Sequence, residues 1–239
     1  MTIRVWQIAK SFENNPVYDD FSLEFPENEV TAILGPSGCG KTTLLNILAG
    51  LVRVDAGRVD AGRVETEPET SYLFQEPRLL PWLSLRENIA LVLADKLPAA
   101  ASEARINNCL AATGLAPYAE YLPNLVSGGM KQRAALARAF VYPSRLLLMD
   151  EPFKSQDLKT RHHLIELFLE LWRAEPRTVI TVTHDIQEAL RLGNQVVVLS
   201  GKPVRIVERL RIDLPQEERV RRYEELFPLE KRLLGLVLG

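Results

Sequence analysis

The stretch "GPSGCGKTT", Gly35 to Thr43, sets three glycines, a lysine and two threonines where the apolar run "EVTAIL" gives way to "KTTLLNILAGL". Glycines at this spacing let successive backbone N–H groups close on an anion, and a helix beginning at Lys41 adds the positive end of its dipole. Gly35, Pro36, Ser37, Gly38, Cys39 and Gly40 would wrap the phosphates, with Thr43 behind them in the first helical turn. Lys41 would supply a point charge to the β- and γ-phosphates, and Thr42 a hydroxyl to Mg²⁺. This is phosphate-binding chemistry.

Three further strand ends carry groups suited to working on a bound phosphate. "RLLLMDEP" ends a buried run in two carboxylates: Asp150, placed to hold Mg²⁺, and Glu151, placed as a general base for water. His184 follows "VITVT", and Gln75 follows "SYLF". A histidine at a strand end is commonly structural. In a parallel sheet, however, consecutive strand ends share one edge, so His184 can lie beside Glu151, and Gln75 can reach the same metal and water. A second glycine-rich helix start appears in "LVSGGMKQRAALARA", where Ser127, Gly128 and Gly129 lead into a basic helix with a long apolar face. It too is suited to an anion.

The elements that must position these groups are legible as patterns. "TIRVWQIA", "FSLEF" and "EVTAILG" read as strands, and "VDAGRVDAGRV" is a five-residue echo expected to form a tight hairpin. From Ser84 to about Tyr142 the periodicity is helical, with Ser84 and Glu87 as a capping box and Ser127 capping a later helix. "RLLLMD", "RTVITVTHD" and "QVVVLS" are continuous apolar runs of the kind buried on both faces of a parallel sheet. Leu164, Leu167, Phe168, Leu171 and Trp172 fall on one helical stripe, read as core-facing, and Asp185 with Glu188 repeats the capping-box pattern. The tail from Gln216 mixes arginine and glutamate and reads as a solvated helix face. The expected architecture is α/β: a mainly parallel sheet with an N-terminal antiparallel β part and an inserted α-helical lobe. The core would take about 1–83 and 143–239, the lobe about 84–142.

Composition narrows the function. The 239 residues carry 29 Lys and Arg against 31 Asp and Glu, a net charge of −2, so no global field draws the chain to nucleic acid. Cys39 and Cys109 have no paired spacing, and His162 and His163 cannot share a helix face, so neither a disulfide framework nor a protein-only metal site is expected. The amino terminus lacks the architecture of a signal peptide, and no apolar run approaches the roughly 18 to 20 residues that cross a bilayer. Any membrane process would be served through a partner.

These pieces together resemble the nucleotide-binding subunits of ABC transporters, built on a P-loop NTPase core. "VSGGMKQR" resembles that family's signature LSGGQ, lying after a helical lobe and before the acidic strand. The resemblance implies ATP and Mg²⁺ as ligands, the metal held by Thr42, Gln75 and Asp150, and hydrolysis carried by Lys41, Gln75, Glu151 and His184. It implies that two copies pack head to tail, so that Ser127, Gly128, Gly129 and Asp157 of one face the ATP of the other. Phe12 would stack on adenine, with Trp6 and Tyr18 as other aromatic candidates. The stretch "QEPRLLPWLSLREN", Gln75 to Asn88, would dock a transmembrane permease, with an extracytoplasmic solute-binding protein reached only indirectly. The wording "LLPW" is most similar to importers of nitrate, sulfonates and taurine. A peripheral location on the cytoplasmic face of the membrane follows. A soluble, non-transport member of the superfamily and an ATP-binding interaction module with little turnover are the alternatives. Three residue departures stand out: Val126 for leucine, Met130 for glutamine, and the polar Lys154, Ser155 and Gln156 in "EPFKSQD", where the family has small residues.

Overall fold

Alternation of inward Ile3, Val5 and Ile8 with exposed Trp6 makes β1 (Ile3–Phe12) a strand with one buried face. It pairs antiparallel with β2 (Asn15–Phe25) on one side and β4 (Ala56–Asp60) on the other. The computed structural model describes residues 3–60, 70–94, 96–154 and 156–238. β4 thus spans the end of the first copy of the glycine echo and the start of the second, while the rest of the expected hairpin, with Ser155 of the polar loop, lies outside the described residues.

Among the described residues a second sheet runs in the order β5, β6, β7, β3, β8, β9. Its strands are β3 (Val30–Leu34), β5 (Thr70–Leu73), β6 (Leu146–Asp150), β7 (Thr178–Val182), β8 (Gln195–Leu199) and β9 (Ile206–Arg211). All neighbours are parallel except β9, which returns antiparallel on β8. Every residue of β3 and β7 is buried, as expected for strands covered on both faces. One face, with Ile33, Leu148, Ile180 and Val197, packs with the antiparallel sheet and α1 (Lys41–Leu48). The other, with Leu147, Met149 and Val179, meets α4 (Gly128–Val141) and α5 (Leu158–Ala174), where Leu164 and Phe168 of the predicted stripe are buried. Beside them α6 (Ile186–Leu192) and α7 (Phe227–Leu238) cover Leu34, Val196 and Val198.

The helical segment has a core of its own. Leu85 and Ile89 of α2 (Leu85–Ala90) pack with Ile106 and Leu110 of α3 (Ala99–Ala112) and with Ala134, Ala137 and Val141 of α4. The opposite side of α4, Ala135, Leu136, Ala139 and Phe140, faces the sheet. This one helix therefore belongs to both cores.

The tail departs from expectation. Residues 216–222 form turns, not a solvated helix, and Arg219 is only 1% exposed. Its guanidinium donates to the carbonyls of Leu190 (2.9 Å), Gly193 (2.7 Å) and Leu214 (2.8 Å), closing the C-terminal end of α6, whose last carbonyls have no partner within the helix. Burial pushes this group down to about 10.

Candidate active site

The cradle forms where β3 ends and α1 begins. Gly40 caps α1 at φ +129° without any side-chain cap, so the first N–H groups of the helix have no side-chain partner. A side chain at Gly40 would place its Cβ 2.6 Å from Val17 Cγ1, and Tyr18 Oη donates to the Gly40 carbonyl at 2.8 Å from below. Tyr18 is 1% exposed, which corrects its candidacy as an adenine stack: it is a buttress of the cradle. Lys41 is buried, and its ammonium donates to the carbonyls of Gly35 (2.8 Å) and Pro36 (2.9 Å). Cys39 turns into the core.

The adjoining strand ends deliver their groups to the same edge. Thr42 Oγ1 donates to Asp150 Oδ1 at 3.2 Å. Burial raises the Asp150 carboxyl above its usual range, with Glu151 adding to the effect and the Thr42 hydrogen bond opposing it. Glu151 sits at φ +44°, an uncommon conformation for a residue with a side chain, and its N–H donates to the Val182 carbonyl at 2.8 Å. That bond ties the end of β6 to the end of β7, two residues before His184. His184 Nδ1 lies 3.4 Å from Glu151 Oε1, and Lys154 Nζ lies 2.5 Å from Oε2. Burial pushes the Glu151 carboxyl up, but the Lys154 hydrogen bond and the charges of His184 and Lys154 outweigh it and hold it below the ordinary glutamate value.

A cleft of about 350 Å³ collects Phe12, Ser37, Gly38, Gly40, Lys41, Thr42, Thr43, Gln75, Asp150 and Glu151. Phe12 is half-exposed at its rim, with Lys10 Nζ 5.2 Å from the ring centroid. Two charged residues of the cleft were not anticipated as site residues: Lys154 and, from the turn between β8 and β9, Lys202. Lys154 was visible only as an odd polar residue, and Lys202 gave no signal at all.

Oxygen donors of Thr42 and Asp150 suit Mg²⁺, a hard cation. Among the described residues no group of three His, Cys, Asp or Glu side chains stands ready for an ion, so one held here would complete its shell with phosphate oxygens and water. Half-buried Asp150, at the end of β6 with the Thr42 hydroxyl beside its carboxylate, fits that arrangement.

Ser127, Gly128, Gly129 and Asp157 are not part of this cleft. Ser127 and Gly129 line a separate groove of about 640 Å³ with Arg133 and, from α5, Lys159, Thr160 and His163. Ser127 Oγ accepts the Met130 N–H at 3.3 Å, and Asp157 caps α5 by accepting the Thr160 N–H at 3.0 Å. Gly129 packs so close to α5 that a Cβ there would lie 3.1 Å from Thr160 Cγ2. The two clefts share no lining residue.

Connections between them come from polar side chains within apolar stretches. Buried Gln132 on α4 donates to the carbonyl of Pro152, directly after Glu151. Arg138, also on α4, donates to the carbonyls of Pro77 (2.6 Å) and Arg78 (2.9 Å), just past Gln75. Arg161 on α5 meets Asp185, the residue after His184, at 2.6 Å. Asp185 caps α6, accepting the Glu188 N–H at 3.0 Å, but the predicted return contact is missing: Glu188 is turned into the core, where burial drives its carboxyl up to about 8. Within the predicted docking stretch Trp82 is 70% exposed, whereas Asn88 is fully buried. Asn88 accepts from Leu80 N and donates to the carbonyls of Leu80, Leu83 and Ser84, so it shapes the stretch and offers no contact surface.

Residues 18–154 match a protein-family model described as "ABC transporter". The aliphatic sulfonates import ATP-binding protein SsuB 1 of Xanthomonas axonopodis pv. citri is 44% identical over 213 residues, spanning 87% of this chain and 84% of that protein. The taurine import ATP-binding protein TauB of Pseudomonas entomophila is 42% identical over 208 residues, spanning 85% and 80%. Among solved structures, the dimeric structure of MJ0796, a bacterial ABC transporter cassette, superposes with a TM-score of 0.75 at 28% identity, covering 89% of this chain and 100% of that one. Sequence and fold agree: this chain belongs to the ABC transporter family and is one of its ATP-hydrolysing cassettes.

Proposed function

We propose that this chain is the motor of an importer for a small sulfonated or chemically related solute, working as two copies packed head to tail around two ATP molecules. The observation that carries the reading is the single sheet edge on which Lys41, the Thr42–Asp150 pair and the Glu151–His184 pair converge. The names of its sulfonate- and taurine-importing relatives support the solute class. Signature residues on a different cleft support a site completed by a second copy.

In this reading the triphosphate lies along the N–H groups of α1, and Lys41 exchanges the carbonyls of Gly35 and Pro36 for phosphate oxygens. Thr42, Asp150 and Gln75 would hold Mg²⁺, which when bound would supply positive charge to offset that of the phosphates. Glu151 takes a proton from water as it attacks the γ-phosphorus in line, and His184 keeps the carboxylate oriented. Phe12 stacks on the adenine from the rim. Ser127, Gly128 and Gly129 of the second copy close over the γ-phosphate, with Asp157 at the seam between copies. The segment 84–142 moves as a lobe against the core, 1–83 and 143–239.

The chain is peripheral to the cytoplasmic face of the membrane. No helix among the described residues is long and apolar enough to cross a bilayer, so the permease must come to it. Exposed Trp82 and half-buried Leu79 and Leu80 are the docking surface in the stretch from Gln75 to Asn88, and the solute-binding protein acts through the permease.

The test is steady-state phosphate release with Mg²⁺ and ATP, together with Glu151→Gln. That variant is expected to keep ATP and elute from a sizing column as a nucleotide-bound dimer, because the cradle survives while the base is gone. An ATP-loaded monomer would count against the paired site. Taurine-dependent stimulation of turnover after co-reconstitution with the permease and its binding protein would test the solute class.

A further inference from the structure

The turn that follows Glu151 folds back on itself. Lys154 N–H donates to the Glu151 carbonyl at 3.3 Å, and the Lys154 side chain then returns across the turn to place its ammonium 2.5 Å from Glu151 Oε2. Oε2 is covered, with the Lys154 ammonium beside it, and Oε1 faces His184 at 3.4 Å, so each oxygen of the base has a basic neighbour. Lys154 nonetheless remains 45% exposed at the side chain and lines the same cleft as Ser37, Lys41 and Gln75. A lysine carries its charge on a flexible four-carbon stem and reorients at small cost, unlike an arginine fork fixed to one partner. A terminal phosphate arriving beside Glu151 offers that ammonium more negative charge than one carboxylate does.

We propose that Lys154 is a ligand of the γ-phosphate supplied in cis, held by Glu151 until ATP arrives and handed over to the phosphate on binding. The exchange does two things at once: it places a second lysine, besides Lys41, on the transferring group, and it uncovers the Glu151 oxygen that must face water. ADP, which lacks the γ-phosphate, leaves the Lys154–Glu151 pair in place. Lys154 thereby separates ATP from ADP. The inference rests on the ATP-binding reading of the cleft given above.

The experiment is a binding cycle in magnesium-free buffer, where no turnover intervenes: ATP and ADP titrated calorimetrically into the wild-type chain, Lys154→Ala, Glu151→Gln and the double variant. In the wild-type background Lys154→Ala is expected to weaken ATP about threefold, since the gain from the phosphate is offset by loss of the Glu151 pair. In the Glu151→Gln background, where nothing competes for the ammonium, the same substitution is expected to cost about tenfold or more. ADP affinity should change by less than about twofold throughout, and in the Glu151→Gln background, where no carboxylate holds the fork, Lys154→Arg should retain most of the ATP affinity. A loss shared equally by ADP, a loss of the same size in both backgrounds, or no loss in the Glu151→Gln background would overturn the hand-over. Retained ADP affinity in Lys154→Ala also reports that the variant is folded. If neither the wild-type chain nor Glu151→Gln binds ATP at all, the function proposed above fails; if both bind and the Lys154 pattern is absent, only the present inference does.

Discussion

The starts of α1 and α4 are made from the same residue types and are equipped differently. At α1 no side chain caps the helix, and a buried lysine, a threonine hydroxyl and the carboxylates ending β6 surround the free N–H groups. At α4 Ser127 spends its oxygen on the helix's own Met130 N–H, and the groove beside it is lined by Arg133 and by Lys159, Thr160 and His163 of α5. A glycine-rich helix start is therefore only the shared background. In the proposed scheme, what separates a whole reaction centre from half of one is which strand ends the topology delivers to it: β5, β6 and β7 all finish beside α1, whereas α4 is reached by a loop and borders α5.

The sharpest way to break this contrast is at the cradle. Lys41→Ala should abolish phosphate release and weaken ATP binding by about a hundredfold or more, because a charge-assisted contact to phosphate is lost at a buried position. Nucleotide titration and a turnover assay check both. Ser127→Arg should abolish turnover just as fully yet leave the nucleotide affinity of the isolated chain unchanged, since its own cradle is intact. Mixing the two dead chains should restore partial turnover, as one of the two sites in the mixed dimer has both halves whole. A mixture as inactive as its parents would erase the distinction between whole and half site.

A third helix start, that of α6, sharpens the comparison through pH. Glu188 has a folded-state value of about 8, well above its value in an unfolded chain, so the folded protein binds the extra proton between roughly pH 4.5 and 8. Stability contributed by this group is complete below about pH 4.5 and is lost as pH rises through that window. Glu188→Gln removes the dependence: its Tm is expected to exceed that of the wild type by several degrees at pH 8 and to converge with it near pH 5. Thermal melts at the two pH values decide it. The smallest effect belongs to the signature serine as a cap. Ser127→Ala should cost about 1 kcal/mol, or roughly 2–4 °C in Tm, a loss with no counterpart at α1, where no side chain serves as cap.

Elements governed by local chemistry were legible in the sequence. The reciprocal Ser84–Glu87 box is present, with Glu87 N–H to Ser84 Oγ at 3.2 Å and Ser84 N–H to Glu87 Oε2 at 2.7 Å. The unbroken apolar runs became the buried parallel strands, and residues at their C-terminal ends met as the edge rule requires. What escaped depends on contacts between distant segments. Arginine and glutamate alternate from Gln216 onward as they would on a solvated helix, and nothing local reveals that Arg219 closes the end of a helix ending 27 residues earlier. Glu188 fits a capping box by spacing, but tertiary packing drew its side chain inward. Tyr18 supports the cradle from a distant strand and Lys202 reaches the cleft from a distant turn, and the Lys154–Glu151 pair needs the left-handed turn at Glu151 to bring the two together.

Arg138 holds the segment after Gln75 entirely through main-chain carbonyls. A grip on the backbone is blind to which side chains those positions carry. Replacing the exposed side chains of that stretch, Trp82 included, leaves both hydrogen bonds in place, so the tie from its surface to α4 survives changes in what the surface presents.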